Sequence, residues 1–274
     1  MDLIVFDLDG TLLNKRSQIT RFTGNTLSMM RKRKIRYTIA TGRTLHSAVN
    51  VIDGHYFNEP LVLKNGVLTY DPKIRRYTDS YLVDLSDVTI YNNILLDNGI
   101  TPFIFTIEPN HDHAIYHREQ LSKSEIEVLN IFGRQSSVPT RKGYEIPQDD
   151  KISNVSAIGQ SLVINKICGS VNESDNLVAF SGPAIENSDL CWIDIHHSAG
   201  SKSRAVQILK NTLGVTRIIC FGDSDNDLCL FSDADEAYAP ANAKTKIKNA
   251  ATAIIDHHNE DGVARFLRDR FDLS

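Results

Sequence analysis

The chain has 274 residues, 41% of them hydrophobic, with 30 basic and 34 acidic side chains for a formal net charge of −4. That length suits one large domain or two modest ones, and the near balance of charge argues against nucleic acid or an anionic membrane as the main partner. No run of about 18 apolar residues is present to span a bilayer, and Met1 leads directly into a strand, so a soluble, cytoplasmic protein with a small-molecule partner is expected.

In chain order, Leu3 to Phe6 form a continuous apolar run that ends in Asp7-Leu8-Asp9-Gly10. This predicts a strand buried on both faces whose C-terminal end is a ligand-binding edge. In extended geometry Asp7 and Asp9 share a side, and carboxylates that close repel unless a cation sits between them or one carries a proton. Residues 19–33 have helical spacing and finish in the basic run Arg31 to Lys34, expected as a solvated helix end. A second strand over 36–40 ends in Thr41-Gly42-Arg43 before a helix over 44–52. A third strand over 61–63 ends at Asn65-Gly66, and hairpin strands follow over 67–70 and 76–81.

The texture then changes. A helix over 84–98, strands over 103–108 and 114–118, a helix over 122–132, further strand and helix signals over 152–158 and 161–171, and strands over 177–180 and 191–196 predict an inserted α+β domain. The earlier alternation returns with a helix over 202–213, a strand over 217–221 ending in GDSDND, a helix over 227–233, a strand over 236–239, a helix over 244–250, a strand over 253–256 and a last helix from Gly262. The expectation is an α/β protein: a Rossmann-like doubly wound parallel sheet in residues 1–82 and 190–274, with an inserted α+β domain in 83–189.

Four segments place polar groups just past predicted strands or at a helix start: Asp7 with Asp9, Thr41 to Arg43, Lys202, and Asp223 with Asn226 and Asp227. In an open α/β sheet such ends converge on one crevice. Clustered carboxylates with no histidine or thiolate among them suit Mg²⁺. Lysine, a threonine hydroxyl and backbone N–H groups at a helix start suit a phosphate dianion. The combination indicates phosphoryl chemistry. A calcium loop at Asp223, Asp225 and Asp227 fails, because the turn-glycine position holds Leu228 and the twelfth position holds Ala234. His111, His113 and His117 in HDHAIYH lie in the insertion, where their alternation places them on one face of a strand or hairpin, and a surface or substrate-facing role is expected rather than a zinc site. The four cysteines, Cys168, Cys191, Cys220 and Cys229, have no CxxC spacing and are expected to be buried free thiols.

FDLDGTLL, ATGR, a lone lysine before a helix, FGDSDNDLCLF and NEDGVARFL, in that order, resemble the haloacid dehalogenase superfamily of phosphotransferases. The large insertion resembles its branch of Cof-type sugar-phosphate phosphatases with an α/β cap. The resemblance implies Asp7 as the nucleophile that forms an aspartyl-phosphate and Asp9 as general acid and then base. It implies Mg²⁺ held by the Asp7 carboxylate, the Asp9 backbone carbonyl and Asp223, with Asp227 nearby. Thr41, Gly42 and Lys202 would hold the phosphoryl oxygens, and Asn226 would orient Lys202 or the phosphate. Arg43 is open between touching phosphate and pairing with an acidic neighbour. Ser203, where relatives commonly have glycine, and Lys64, where many have glutamate, depart from the pattern without removing a catalytic group. NEDG would cap the last helix through Asn259 or Asp261 and brace the metal loop. The activity implied is hydrolysis of a small phosphomonoester, with a sugar phosphate favoured. A phosphomutase of the phosphomannomutase type and a non-catalytic phosphate sensor stand as rivals, and a homodimer is among the assemblies left open.

Overall fold

The computed structural model describes all residues except 109–111, 124, 128, 130–137, 185–188 and 274, and all but the side chain of residue 79. The chain divides into two compact units, Met1–Ser80 with Ser201–Ser274, and Tyr81–Gly200.

In the first unit β1 (Asp2–Phe6) is one of the inner strands of a five-stranded sheet in the order β14-β13-β12-β1-β2. Its neighbours β12 (Arg217–Phe221) and β2 (Arg36–Ile39) both run parallel to it, and β13 (Glu236–Pro240) and β14 (Ala253–Ile255) extend the sheet in parallel register. Leu3 to Phe6 are fully buried, as a strand covered on both faces requires. One face packs on the helix Lys202–Thr212 through Ala205, Val206 and Leu209, which join Leu3, Val5, Ile218 and Cys220 in one cluster.

Helix α1 (Arg21–Lys32) starts where Thr20 Oγ1 accepts a bond from Thr23 N, and α2 (Leu45–Ile52) starts at the matching cap of Thr44 on Ser47 N. The basic end of α1 is more than a solvated terminus. Arg33 donates to the carbonyl oxygens of Phe271 and Asp272, closing the open end of the last helix (Gly262–Phe271), and Arg31 lies over the Tyr56 ring.

The third expected strand, β3 (Leu61–Leu63), touches the parallel sheet through the single bridge Ala40–Val62. Its main partner is β4 (Leu68–Asp71), antiparallel, which pairs in turn with β5 (Arg76–Ser80). The turn between β3 and β4 holds Lys64 and Asn65 at positive φ and Gly66 at φ +96°. A Cβ on Gly66 would lie 2.2 Å from the Ser201 carbonyl oxygen, so the turn can approach the start of the Lys202 helix only as glycine.

The second unit is a six-stranded sheet in the order β10-β11-β9-β6-β7-β8, with β6 over Phe103–Ile107. All its pairs are antiparallel except β7 (His113–His117) with the short β8 (Thr140–Lys142). The helices Leu85–Asp97 and Ser161–Val171 cover one face, Val88, Leu95, Ile164 and Ile167 packing on Ile104, Val155, Ile193 and Ile195. Strand β11 (Leu190–His197) belongs to this sheet, lying between β10 (Leu177–Pro183) and β9 (Lys151–Gln160), so the units meet in sequence after Gly200 rather than at the expected 189–190. An apolar strand carries the same pattern in either sheet, and pairing decides its membership. Of the helix expected over 122–132, residues 124, 128 and 130–132 lie outside the described residues, as does His111, while Lys123, Glu125, Ile126, Glu127 and Leu129 are helical. All four cysteines are free, but of these only Cys220 is buried, and Cys229 is exposed.

Gly66→Ala is expected to lower the thermal midpoint by about 5–10 °C, since backbone strain and a backbone clash act together. Gly54 has φ +77°, and a Cβ there would meet nothing within 4 Å, so Gly54→Ala should cost only about 1 kcal/mol. Differential scanning calorimetry of the two variants checks the contrast.

Candidate active site

The C-terminal ends of β1 and β12 and the start of the Lys202 helix bring four charged groups together. Asp7 follows β1 directly, its N–H donating to the Phe221 carbonyl oxygen at the end of β12. The chain then turns through Leu8–Leu12 with Gly10 at φ +75°. A Cβ on Gly10 would lie 2.3 Å from Asp223 Oδ2, so glycine lets the two acidic loops meet. Ser201 caps the helix that begins at Lys202 by accepting from Arg204 N.

Lys202 is 1% exposed, and its Nζ lies 2.6 Å from Asp7 Oδ1 and 2.7 Å from Asp227 Oδ1. An ammonium has three N–H donors, so two are engaged by carboxylates and one remains. Both oxygens of Asp227 are engaged: its second oxygen accepts from the backbone N–H groups of Asp223 and Ser224, at 3.0 and 3.1 Å. Among the described residues the bonds to the Asp7 carboxylate all come through Oδ1, which leaves Oδ2 as the oxygen available to a ligand or an electrophile. Asp223 receives a long contact from the Thr11 hydroxyl, 3.5 Å to Oδ1.

Three carboxylates around one ammonium leave excess negative charge. Burial pushes Asp7 well above the usual carboxylate range, with Asp227 and Asp223 adding to the rise against the downward pull of Lys202. Asp223 is pushed up to about 6, first by burial and then by Asp227. For Lys202 burial alone would lower the ammonium, but Asp227 and Asp7 override it and hold it charged. Oxygen atoms of Asp7, Asp223 and Asp227 lie within 4.8 Å of one another. An all-oxygen, over-negative cluster of this size fits a hard divalent cation.

Around this centre the expected residues separate into groups. Thr41 is 1% exposed at the end of β2; its hydroxyl accepts from Arg43 N, and its carbonyl accepts from Asn65 N. Gly42 faces Asn65, whose Oδ1 would lie 3.1 Å from a Cβ there. The Asn226 amide donates to that same Asn65 Oδ1 at 2.9 Å and accepts from the Ser224 hydroxyl at 2.7 Å. Asn226 therefore ties the GDSDND loop to the turn after β3; the bonds of Lys202 go to the two aspartates. The Asp9 carboxylate is not in the acidic cluster but pairs with Arg43.

Several contributors carry little or no signal in the sequence. Asn65 could have been found from its Asn-Gly turn, which requires positive φ. Asn242 could not: its amide donates to the Gly10 carbonyl oxygen at 2.7 Å and its Oδ1 accepts from His258 N. His258 Nδ1 lies 2.7 Å from the Leu13 carbonyl oxygen, and Asn259 Oδ1 accepts from Lys15 N at 2.7 Å. The NEDG segment thus braces the loop after Asp9. Asp261 precedes the last helix in a left-handed conformation without a side-chain cap bond, and its carboxylate instead accepts from the hydroxyls of Thr20 and Thr23 on α1. Ser203 donates to Asp233 on the neighbouring helix, which gives this departure from the family pattern a partner of its own.

In the second unit, Arg118 pairs with Glu125, Arg141 with Glu108, and the Tyr144 hydroxyl donates to the Pro102 carbonyl oxygen. His117 is buried, its Nδ1 2.7 Å from the Arg118 carbonyl oxygen. No helix among the described residues is long and apolar enough to cross a membrane.

Comparison with known proteins shows the family. A 5-amino-6-(5-phospho-D-ribitylamino)uracil phosphatase of Bacillus subtilis is 27% identical over 99% of this chain and 98% of its own length. A haloacid dehalogenase-like hydrolase from Bacteroides thetaiotaomicron superposes with a TM-score of 0.80 at 20% identity, covering 98% of this chain and 99% of its own. A sugar phosphatase of subclass IIB of the superfamily superposes with a TM-score of 0.78 at 17% identity over the whole of both chains. The model of the haloacid dehalogenase-like hydrolase family matches residues 4–267. With that match spanning both units and every site segment, the chain belongs to the haloacid dehalogenase-like hydrolases and is a phosphoric monoester hydrolase of that family.

Proposed function

We propose that this enzyme is a Mg²⁺-dependent phosphatase that hydrolyses a small phosphorylated metabolite, a sugar or polyol phosphate, through a phosphoenzyme on Asp7. The observation that carries the reading is the Asp7 carboxylate: one oxygen is fixed by Lys202 at 2.6 Å, the other has no hydrogen-bond partner among the described residues, and a carboxylate oxygen of Asp7 lies within 4.8 Å of one on Asp223. The polyol preference rests on the relatives, one named for a phosphoribitylamino compound and one for sugar phosphates.

A carboxylate that attacks a phosphate dianion meets charge repulsion, which must be neutralised before approach. Lys202 supplies one positive charge, with its third N–H free for a phosphoryl oxygen. Mg²⁺, held by Asp7, Asp223 and the Asp9 backbone carbonyl, would supply the rest of the neutralisation and polarise the phosphoryl group. Asp227 orients Lys202 and the backbone of the Asp223 loop. Thr41 and Gly42 would present a hydroxyl and backbone to the remaining phosphoryl oxygens. Asp7 Oδ2 then forms a bond to phosphorus as the ester oxygen leaves, taking a proton from Asp9. In the second half-reaction water attacks phosphorus, its proton passes to Asp9, and Asp7 departs as carboxylate.

Phosphate release from a panel of sugar and polyol phosphates is the direct test. Asp7→Asn is expected to abolish turnover, and Asp9→Asn to reduce it by about 10²–10⁴-fold. Movement of phosphate between hydroxyls of one sugar, without release, would establish the mutase instead. Phosphate binding with no turnover of any phosphoester would establish the sensor.

The metal has its own test. In the metal-free protein the folded pKa of Asp223 is raised to about 6 from an ordinary value near 3.8. Its contribution to stability is therefore greatest below the unfolded value and declines as pH rises through that window. A cation binds the charged form, so the thermal stabilisation by Mg²⁺ should be larger at about pH 7.5 than at about pH 5. Asp223→Asn should lose most of that stabilisation at both.

A further inference from the structure

The turn after β2 presents Arg43 as well as Thr41. The Arg43 side chain is 14% exposed, whereas the Asp9 carboxylate it meets is 54% exposed. Nε donates to Asp9 Oδ2 at 2.7 Å and Nη2 to Oδ1 at 2.6 Å. A two-pronged guanidinium–carboxylate pair fixes both the position and the plane of the carboxylate. The guanidinium is held in turn, with Nη1 donating to the Ser47 carbonyl oxygen at 3.2 Å and lying 3.4 Å from Ser47 Oγ, in the first turn of α2. Its backbone is fixed at both ends, by Thr41 Oγ1 and by the N–H of Lys64. Without that anchor, a half-exposed aspartate on the turn after β1 would sample several rotamers.

We propose that Arg43 is a positioning residue for proton transfer, holding the Asp9 carboxyl group where it meets the leaving oxygen and later the attacking water, and that it acts through Asp9 rather than on the phosphate. The inference rests on the roles given to Asp7 and Asp9 above. As the bond from phosphorus to the ester oxygen breaks, its electron pair stays on that oxygen, which takes the Asp9 proton. When the water oxygen bonds to phosphorus, the proton it sheds returns to Asp9 and Asp7 leaves with the electron pair of its own bond. A carboxylate has about four lone-pair sites, and the two-pronged contact uses two, so outer sites remain for these partners.

The test is a leaving-group contrast. The kcat/KM value covers the steps through release of the alcohol; p-nitrophenolate leaves without a proton, while an alkoxide needs one. In Arg43→Gln the ratio of kcat/KM for glycerol phosphate to that for p-nitrophenyl phosphate should fall about 10–100-fold. In Arg43→Lys, which keeps the charge but not the fork, the fall should be smaller. The ratio does not depend on how much of a variant is folded. In an Asp9→Asn background, adding Arg43→Gln should leave the ratio where Asp9→Asn alone puts it. Equal losses on the two substrates, or a further fall in the Asp9→Asn background, would overturn the proposal. Failure of the underlying reading looks different: the unaltered enzyme turns over neither substrate, or Asp9→Asn leaves the ratio at its original value.

Discussion

The site depends on one buried ammonium. Lys202 lies between Asp7 and Asp227 with negligible exposure, and removing it would leave two buried carboxylates facing each other. Breaking such a pair typically costs about 3–5 kcal/mol, because the partner charges stay behind in low dielectric. The interaction reaches into the fold from both sides. Asp7 closes β1, Asp227 pins the backbone of the Asp223 loop, and Lys202 opens the helix that packs on the parallel sheet. One cation thereby joins segments about 195 and 25 residues apart in sequence.

A shell of neutral contacts keeps this arrangement in place. Asn65 links the turn after β3 to Thr41 through the backbone and to Asn226 through its side chain, while Gly66 lets that turn touch Ser201. On the other side Asn242, His258 and Asn259 hold the Gly10–Lys15 loop through three contacts, each 2.7 Å. The two neighbouring acids thus meet different surroundings: Asp7 faces a buried lysine and Asp9 a partly buried arginine. Different partners would allow carboxylates two residues apart to take the different tasks proposed for them.

Much of this was legible in the residues. The apolar run before Asp7, the alternation of strand and helix, and polar groups at successive strand ends lead to a parallel sheet with charged groups gathered at its C-terminal edge, since each rests on local periodicity or on the topology of open sheets. What was not legible depends on long-range pairing or on rotamers. Whether β11 joins β12's sheet or β9's follows from antiparallel partners that LCWIDIHH does not reveal. The pairing of Asp9 with Arg43, rather than with the acidic cluster, depends on side-chain direction. Asn242 acts on a carbonyl 232 residues away, and nothing in its neighbours marks it.

The central claim is that the oxygen of Asp7 left open by Lys202 is the nucleophile. A single turnover quenched in acid, followed by peptide mass spectrometry, measures this directly. With p-nitrophenyl phosphate, whose leaving group needs no proton from Asp9, the account predicts one phosphoryl group on the peptide that carries Asp7, absent in Asp7→Asn and accumulating further in Asp9→Asn, where the water step is slowed. Phosphate released in the first turnover with no phosphorylated peptide, or with the label on another residue, would contradict it.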